Sequence, residues 1–450
     1  MRYLSTRGAP ERPGFARVLL GGLAADGGLF VPEEWPQMGE DLVTTYPDLV
    51  AKTLNSYVEP DDLASQLPAL VGEAYSGFRH QQVAPLVEVG EGHFLLELFW
   101  GPTLSFKDYA LQVVGRLFDA ELRRQHRRLL VLGATSGDTG SAAMAACRGR
   151  ENIEVVILYP QGKISDIQRR QMTAIQDANV EAVAVEGTFD DCQALVKQAL
   201  IDDDLELPLG AINSINWARI AVQASYYAWA ASLVGSPVAF SVPTGNFGNV
   251  LSGYAATRMG AKIDKLIVAN NRNHGLTKLI RDGRLEVEAV HSTLAPAMDI
   301  QIPSNLERYL FEISGRDSER VRHWQGALSR EGRLQLSPGE HARLREGLEA
   351  GWLSDDEVID VMRRVYAHNG LLLDPHTAIA WEVGERLRLP GMNLVTVATA
   401  HPSKFGDSVM AATGQTPDWP GELADLFDRS ERLSTIPNDY PTLVRLLRSK

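Results

Sequence analysis

The chain has 450 residues, 44% of them apolar and 22% charged, which is enough for a sizeable core spread over two or three compact units. A formal charge of −13 argues against a surface built for nucleic acid or anionic membranes, although it leaves room for one basic cleft. Two cysteines, Cys147 and Cys192, make neither a disulfide framework nor a zinc cluster and predict a reducing, cytoplasmic setting; the opening MRYLSTRGAP lacks the apolar run of a secretory signal.

Residues 1–90 read as a loop-rich N-terminal region, in which Gly21–Pro32 predicts turns around one short strand. Beyond it, apolar runs of strand length alternate with helical periods. The predicted strands are Phe94–Leu98, Leu129–Leu132, Ile153–Tyr159, Val180–Val185, Val238–Val242, Leu266–Ala269 and Leu394–Ala398. The predicted helices are Phe106–Leu122, Asp138–Arg148, Asp191–Ile201, Trp217–Val234, Asn249–Met259 and Pro375–Arg388. Trp217–Val234 is the longest apolar helix, but Arg219, Gln223, Ser225 and Ser232 would be costly in lipid, so it reads as a buried helix of a soluble protein. Residues 314–357 turn polar and charged and predict a solvated helical insertion or an oligomer contact. Strands alternating with helices predict an α/β fold with mainly parallel sheets, which bind ligands in the loops after the strands' carboxyl ends.

Five runs lie in such loops or beside them. Gly133–Ser141, GATSGDTGS, offers the hydroxyls of Thr135, Ser136 and Thr139 and a helix start suited to an anion; it also fits a tight capped turn. Pro243–Asn249, PTGNFGN, has Gly245 and Gly248 placed to let backbone N–H groups converge on a second anion. Lys107, in SFKDY, opens an apolar helical stretch, where burial would favour the neutral, nucleophilic amine; taken alone, the pattern fits a lysine snorkelling out of a core helix better. Asn213–Arg219 combines amides, a hydroxyl and an Arg fork suited to phosphate, or to an N-cap with a surface ion pair. Thr399, His401 and Lys404 follow the strand Leu394–Ala398, where Thr399 and His401 can face a ligand or pack as a turn. His376 and His401 are far apart and no metal-ligand spacing occurs.

Six runs in order, LFWGPTLSFKDYALQ, ATSGDTGSAA, NSINWARI, SVPTGNFGNVLSGY, APAMDIQIPSN and ATAHPSKF, together with the opening YLSTRG and GLAADGGLFVPE, resemble the threonine synthases of bacterial and fungal type. The resemblance spans residue 3 to about residue 407. It implies a tryptophan-synthase-β-like fold (fold type II of pyridoxal-phosphate enzymes). The lobes would be a larger cofactor-binding one (91–128 and 221–450) and a smaller substrate-binding one (129–220). It implies pyridoxal 5'-phosphate as cofactor, joined to Lys107. Its phosphate would lie on Gly245, Asn246, Phe247, Gly248 and Asn249, with Thr399 facing the pyridine nitrogen and Asp138 near the ring oxygen. The implied substrate is O-phosphohomoserine. Its carboxylate would meet Thr135, Ser136 and Thr139, and its phosphate Asn213, Ser214 and Arg219, with Asn305 and Arg308 nearby. Related phospho-hydroxyamino-acid lyases and serine/threonine dehydratases share the fold and stay open as alternatives. No nucleic-acid or membrane partner is expected, and the chain would act as a monomer or homodimer. One departure stands out: where relatives often read N-x-N-D, this chain reads Asn271, Arg272, Asn273, His274.

Overall fold

The computed structural model describes residues 1–39, 43–58, 63–135, 137–205, 207–210, 212 and 214–450. Two sheets organise it. The larger runs, edge to edge, through strands 348–352, 265–270, 238–243, 393–398, 93–97 and 86–90; all neighbours are parallel except the final hairpin. The smaller is parallel throughout, in the order 434–437, 180–186, 153–160, 129–134 and 209–210. Central strands such as Val238–Pro243 are buried along their whole length, because helices cover both faces. That explains why they read as near-continuous apolar runs rather than alternating ones.

Each predicted strand and helix corresponds to an observed element within a few residues at either end. Helix Trp217–Val234 is buried from Trp217 to Ala228, polar Arg219, Gln223 and Ser225 included, and among the described residues no helix is long and apolar enough to cross a membrane.

Two expectations need correction. Residues 314–357 are not only a solvated helical insertion: helices Ser318–Glu331 and Pro338–Arg345 lead into strand Leu348–Trp352, which forms the edge of the larger sheet. The stretch after residue 221 also does not all belong with that sheet. Strand Ser434–Pro437 pairs with Val183–Glu186 of the smaller one, and helix Tyr440–Arg448 packs there against helix Phe189–Leu200.

In the N-terminal region, strands Tyr3–Ser5 and Phe30–Pro32 pair antiparallel. It is tied to segment 305–308: Glu307 accepts from Thr6 Oγ1 at 2.5 Å and Arg7 Nη2 at 2.7 Å, and Arg308 Nε donates to the Phe30 carbonyl at 2.8 Å.

Candidate active site

The carboxyl ends of strands 238–243 and 393–398 and the start of helix Asp138–Cys147 face one cavity between the two sheets.

Lys107 is the first residue of helix Lys107–Arg124. The preceding turn is fixed by Asp108, which accepts from Thr103 N at 2.7 Å and Thr103 Oγ1 at 2.8 Å, and by Phe106 N donating to the Thr399 carbonyl at 2.9 Å. The lysine is therefore held in the cavity wall, 9% exposed, and does not snorkel to solvent. Its Nζ lies 3.0 Å from Asp138 Oδ2. The other oxygen, Oδ1, meets Lys404 Nζ at 2.8 Å and Gln168 Nε2 at 3.1 Å. Burial lowers the Lys107 pKa most; Asp138 opposes that, while Lys404 and Arg219 add to it, and the net direction is down. Burial alone would raise the pKa of Asp138, but Lys107 and Lys404 outweigh it and hold the carboxylate well below its usual range.

The helix beside Asp138 starts at Gly137, whose φ of 139° is open only to glycine. Thr135 Oγ1 accepts from the N–H groups of Gly137 and Gly140, both at 2.9 Å. Thr135 is thus an internal cap behind the cavity and does not line it, a correction to its expected place; Thr139 does line it. Ser136 and Asn213 lie outside the described residues.

The loop Thr244–Asn249 closes the second end. Phe247 adopts left-handed backbone (φ 62°), so that helix Gly248–Arg258 starts facing the cavity. The N–H groups of Gly248, Asn249 and Val250 precede the first helical bond, from Leu251 N to the Phe247 carbonyl, and are available to an anion. A Cβ on Gly245 would stand 2.4 Å from the Ala297 carbonyl oxygen. Gly245→Ala is therefore expected to push the loop out of shape and raise the Kd for the anion at this end by at least about tenfold, as equilibrium dialysis with pyridoxal phosphate would show, since losing one charge-assisted hydrogen bond costs about 1.5–3 kcal/mol. Asn249 Oδ1 accepts from Tyr226 and Tyr227 hydroxyls at 2.5 and 2.8 Å, which turns its buried Nδ2, without a partner among the described residues, into a spare donor.

Arg219 stands on the first turn of helix Trp217–Val234, which Asn216 caps by accepting from Ala218 N at 3.0 Å. It is 4% exposed, and its Nη1 is buried without an acceptor among the described residues. Burial pushes its pKa down to about 10. Ser214 lines the same wall, its hydroxyl 3.3 Å from that of Ser304.

Four further residues lie beside the cavity or away from it. Arg308 is fully buried and occupied by three acceptors: the carbonyls of Phe30 at 2.8 Å and Ile215 at 2.6 Å, and Asn305 Oδ1 at 2.6 Å. Asn305 donates through Nδ2 to the Ser214 carbonyl at 2.9 Å and through its N–H to the Asn246 carbonyl at 3.1 Å. These two residues join the walls of the cavity and do not line it. His401 turns away, packing edge-on to Phe99 with ring centres 5.3 Å apart and capping residues 402–405; burial lowers its pKa to about 4. His274 stacks on Trp352 at 4.4 Å, outside the cavity. The acid at that loop is Asp299, which accepts from Asn271 Nδ2 at 2.7 Å and Asn273 Nδ2 at 3.0 Å.

Residues that sequence reasoning gave no place here are Lys404, Gln168, Gln223 and His376. Lys404 stood in a run already singled out; a lysine so close to a strand's carboxyl end was the available signal. His376 lines the cavity, its Nδ1 2.8 Å from Asp374 Oδ1 and its buried Nε2 unpartnered among the described residues; the Asp-Pro-His start of its helix was the only hint.

These features fit pyridoxal phosphate: a buried amine of lowered pKa, a helix start whose approach a side chain would block, and spare donors on Asn249 and Arg219.

The comparisons with known proteins agree. Residues 85–339 match the family model described as pyridoxal-phosphate dependent enzyme, residues 2–75 that of the threonine synthase N terminus, and residues 377–446 that of threonine synthase, C-terminal. The threonine synthase of Pseudomonas aeruginosa is 42% identical, over 98% of this chain and 96% of its own. Pyridoxal-phosphate-bound threonine synthase from Brucella melitensis superposes with a TM-score of 0.97 at 42% identity, covering 100% of this chain and 99% of that one. The yeast threonine synthase gives 0.93 at 35% identity, covering 100% and 98%.

Proposed function

Since this chain belongs to the threonine synthase family of pyridoxal-phosphate-dependent lyases, we propose that it converts O-phospho-L-homoserine and water to L-threonine and phosphate, the last step of threonine biosynthesis. The observation that carries the substrate is Arg219: a buried guanidinium that lines the cavity with an unpartnered Nη1 and with no carboxylate paired to it among the described residues. A buried cation of this kind calls for an anion from the ligand. The unphosphorylated serine or threonine of a dehydratase would leave it unmet.

In this reading the N–H groups of Gly245–Asn249 and Asn249 Nδ2 would hold the cofactor phosphate, and Lys107 would hold its aldehyde carbon. Thr399 would meet the pyridine nitrogen, where a hydroxyl, unlike a carboxylate, does not enforce a full proton. Asp138 would serve the ring oxygen. Bound there, the cofactor supplies an electron sink that makes the protons on Cα and then Cβ of the substrate removable. Thr139 and Ser136, at the start of helix Asp138–Cys147, receive the substrate carboxylate, with Thr135 shaping the turn behind them. Arg219, Ser214 and Asn213 orient the phosphate and meet its growing charge as it leaves Cγ. Freed when the substrate's own amine takes its place, the neutral amine of Lys107 takes the Cα and then the Cβ proton. It returns one to Cγ once phosphate has left and the other to Cα once water has added its hydroxyl at Cβ, the water's remaining proton going to the released phosphate. The enzyme is placed in the cytoplasm as a monomer or homodimer; free, buried Cys147 and Cys192 support a reducing setting.

The test is product identification. Purified holoenzyme given O-phosphohomoserine is expected to yield threonine and inorganic phosphate in equal amounts. Phosphate accompanied by a keto acid would instead assign the chain to the lyase reading.

A further inference from the structure

We infer that Lys404 is a positioning residue that keeps the Lys107 amine unprotonated, by claiming one oxygen of the carboxylate that would otherwise serve Lys107 alone. The inference rests on the reading above only in taking Lys107 as the lysine that holds the cofactor.

The geometry is that of one anion between two cations. Asp138 Oδ2 lies 3.0 Å from Lys107 Nζ and Oδ1 lies 2.8 Å from Lys404 Nζ. Lys404 is anchored again by donating to the Thr103 carbonyl at 2.9 Å, and its side chain has no exposure at all, against 11% for Lys107. Gln168 Nε2, at 3.1 Å from Oδ1, fixes the carboxylate between them. Of the other charged or titratable groups facing this point, Arg219 adds positive charge, His376 lines the cavity with its Nδ1 on Asp374, and Asp108, hydrogen-bonded to Thr103 N and Oγ1, lies within electrostatic reach of Lys404, so that three cations face two carboxylates.

Asp138 can neutralise one ammonium only. Lys404 has two fixed acceptors and no route to solvent, whereas Lys107 opens onto the cavity. The surplus charge therefore leaves as a proton from Lys107, giving the free amine that attack on an aldehyde requires. The downward direction of the Lys107 pKa, to which Lys404 contributes, agrees.

Removing the Lys404 charge should reverse this. With Asp138 left as an undivided counter-ion, the Lys107 ammonium is stabilised and its pKa rises. Apoenzyme is mixed with pyridoxal phosphate across a pH series and the growth of visible absorbance is timed. The midpoint of the rate is expected to rise by about one pH unit or more in Lys404→Met, the scale of one neighbouring charge. Lys404→Gln, which keeps a donor for the Thr103 carbonyl, should show the same rise, and Lys404→Arg, which keeps the charge, should stay near the parent. An unmoved midpoint in the neutral variants, or an equal movement in Lys404→Arg, would overturn the inference. No turnover is involved, so an error in the substrate assignment, which appears in the product assay, cannot imitate either result.

Discussion

Lys107→Ala is expected to yield a folded protein that has lost its visible absorbance and forms threonine at least on the order of 10³-fold more slowly. The fold should survive because Asp138 is not orphaned: Lys404 at 2.8 Å and Gln168 at 3.1 Å remain on its Oδ1. Pyridoxal phosphate should still be retained, more weakly, by the Gly245–Asn249 loop, since that end of the cavity is untouched. The measurements are an absorbance spectrum, cofactor content after gel filtration, and single-turnover phosphate release. Borohydride reduction of the parent followed by peptide mapping should mark Lys107. A variant that kept its absorbance and rate would remove the amine from its proposed place.

Arg219→Met should separate stability from activity. Arg219 Nη1 is buried with no acceptor among the described residues, and burial has already moved the guanidinium pKa down to about 10. An unmet buried donor costs about 1–3 kcal/mol, so an apolar side chain of similar length should raise the Tm of the ligand-free protein. The same change should lower kcat/KM for O-phosphohomoserine by about 10²–10³-fold, the loss typical of a donor aimed at developing charge. Inorganic phosphate offers an independent check, because a ligand stabilises only the state that binds it. Millimolar phosphate should raise the Tm of the parent loaded with pyridoxal phosphate, whose Gly245–Asn249 loop is already filled, and not that of the loaded variant. A variant that was both less stable and equally responsive to phosphate would show that Arg219 has a purely structural job.

What could be read in the sequence followed from burial on both faces. Ile153–Tyr159 and Val238–Val242 are apolar runs broken only by Glu154 and Ser241, because helices cover them above and below, and they were placed to within a residue. Strands at the margins lacked that signature: Leu348–Trp352 sits among charges, and Leu86–Gly90 has no fully buried residue. The ligand loops were legible as glycine- and hydroxyl-rich turns at strand ends, but residue chemistry alone favoured a snorkelling lysine over a nucleophile at Lys107. The six ordered runs tipped that balance. Contacts made across long separations stayed hidden. Nothing near Lys404 announces a carboxylate 266 positions away in the chain (404 − 138). Arg308 looked like a ligand group because it is a charged residue near a suggestive motif, yet all its donors go to backbone carbonyls and one amide.

The Arg308 junction also limits how freely the opening segment can be exchanged. A chimera that replaced residues 1–75 with an unrelated leader would strip the guanidinium of the Phe30 oxygen and Glu307 of its Thr6 and Arg7 donors. The disturbance would pass through Asn305 to both Ser214 and Asn246, which line the catalytic cleft. The first strands of this chain therefore act as a keystone, and any graft of them has to carry the 305–308 turn along as its matched counterpart.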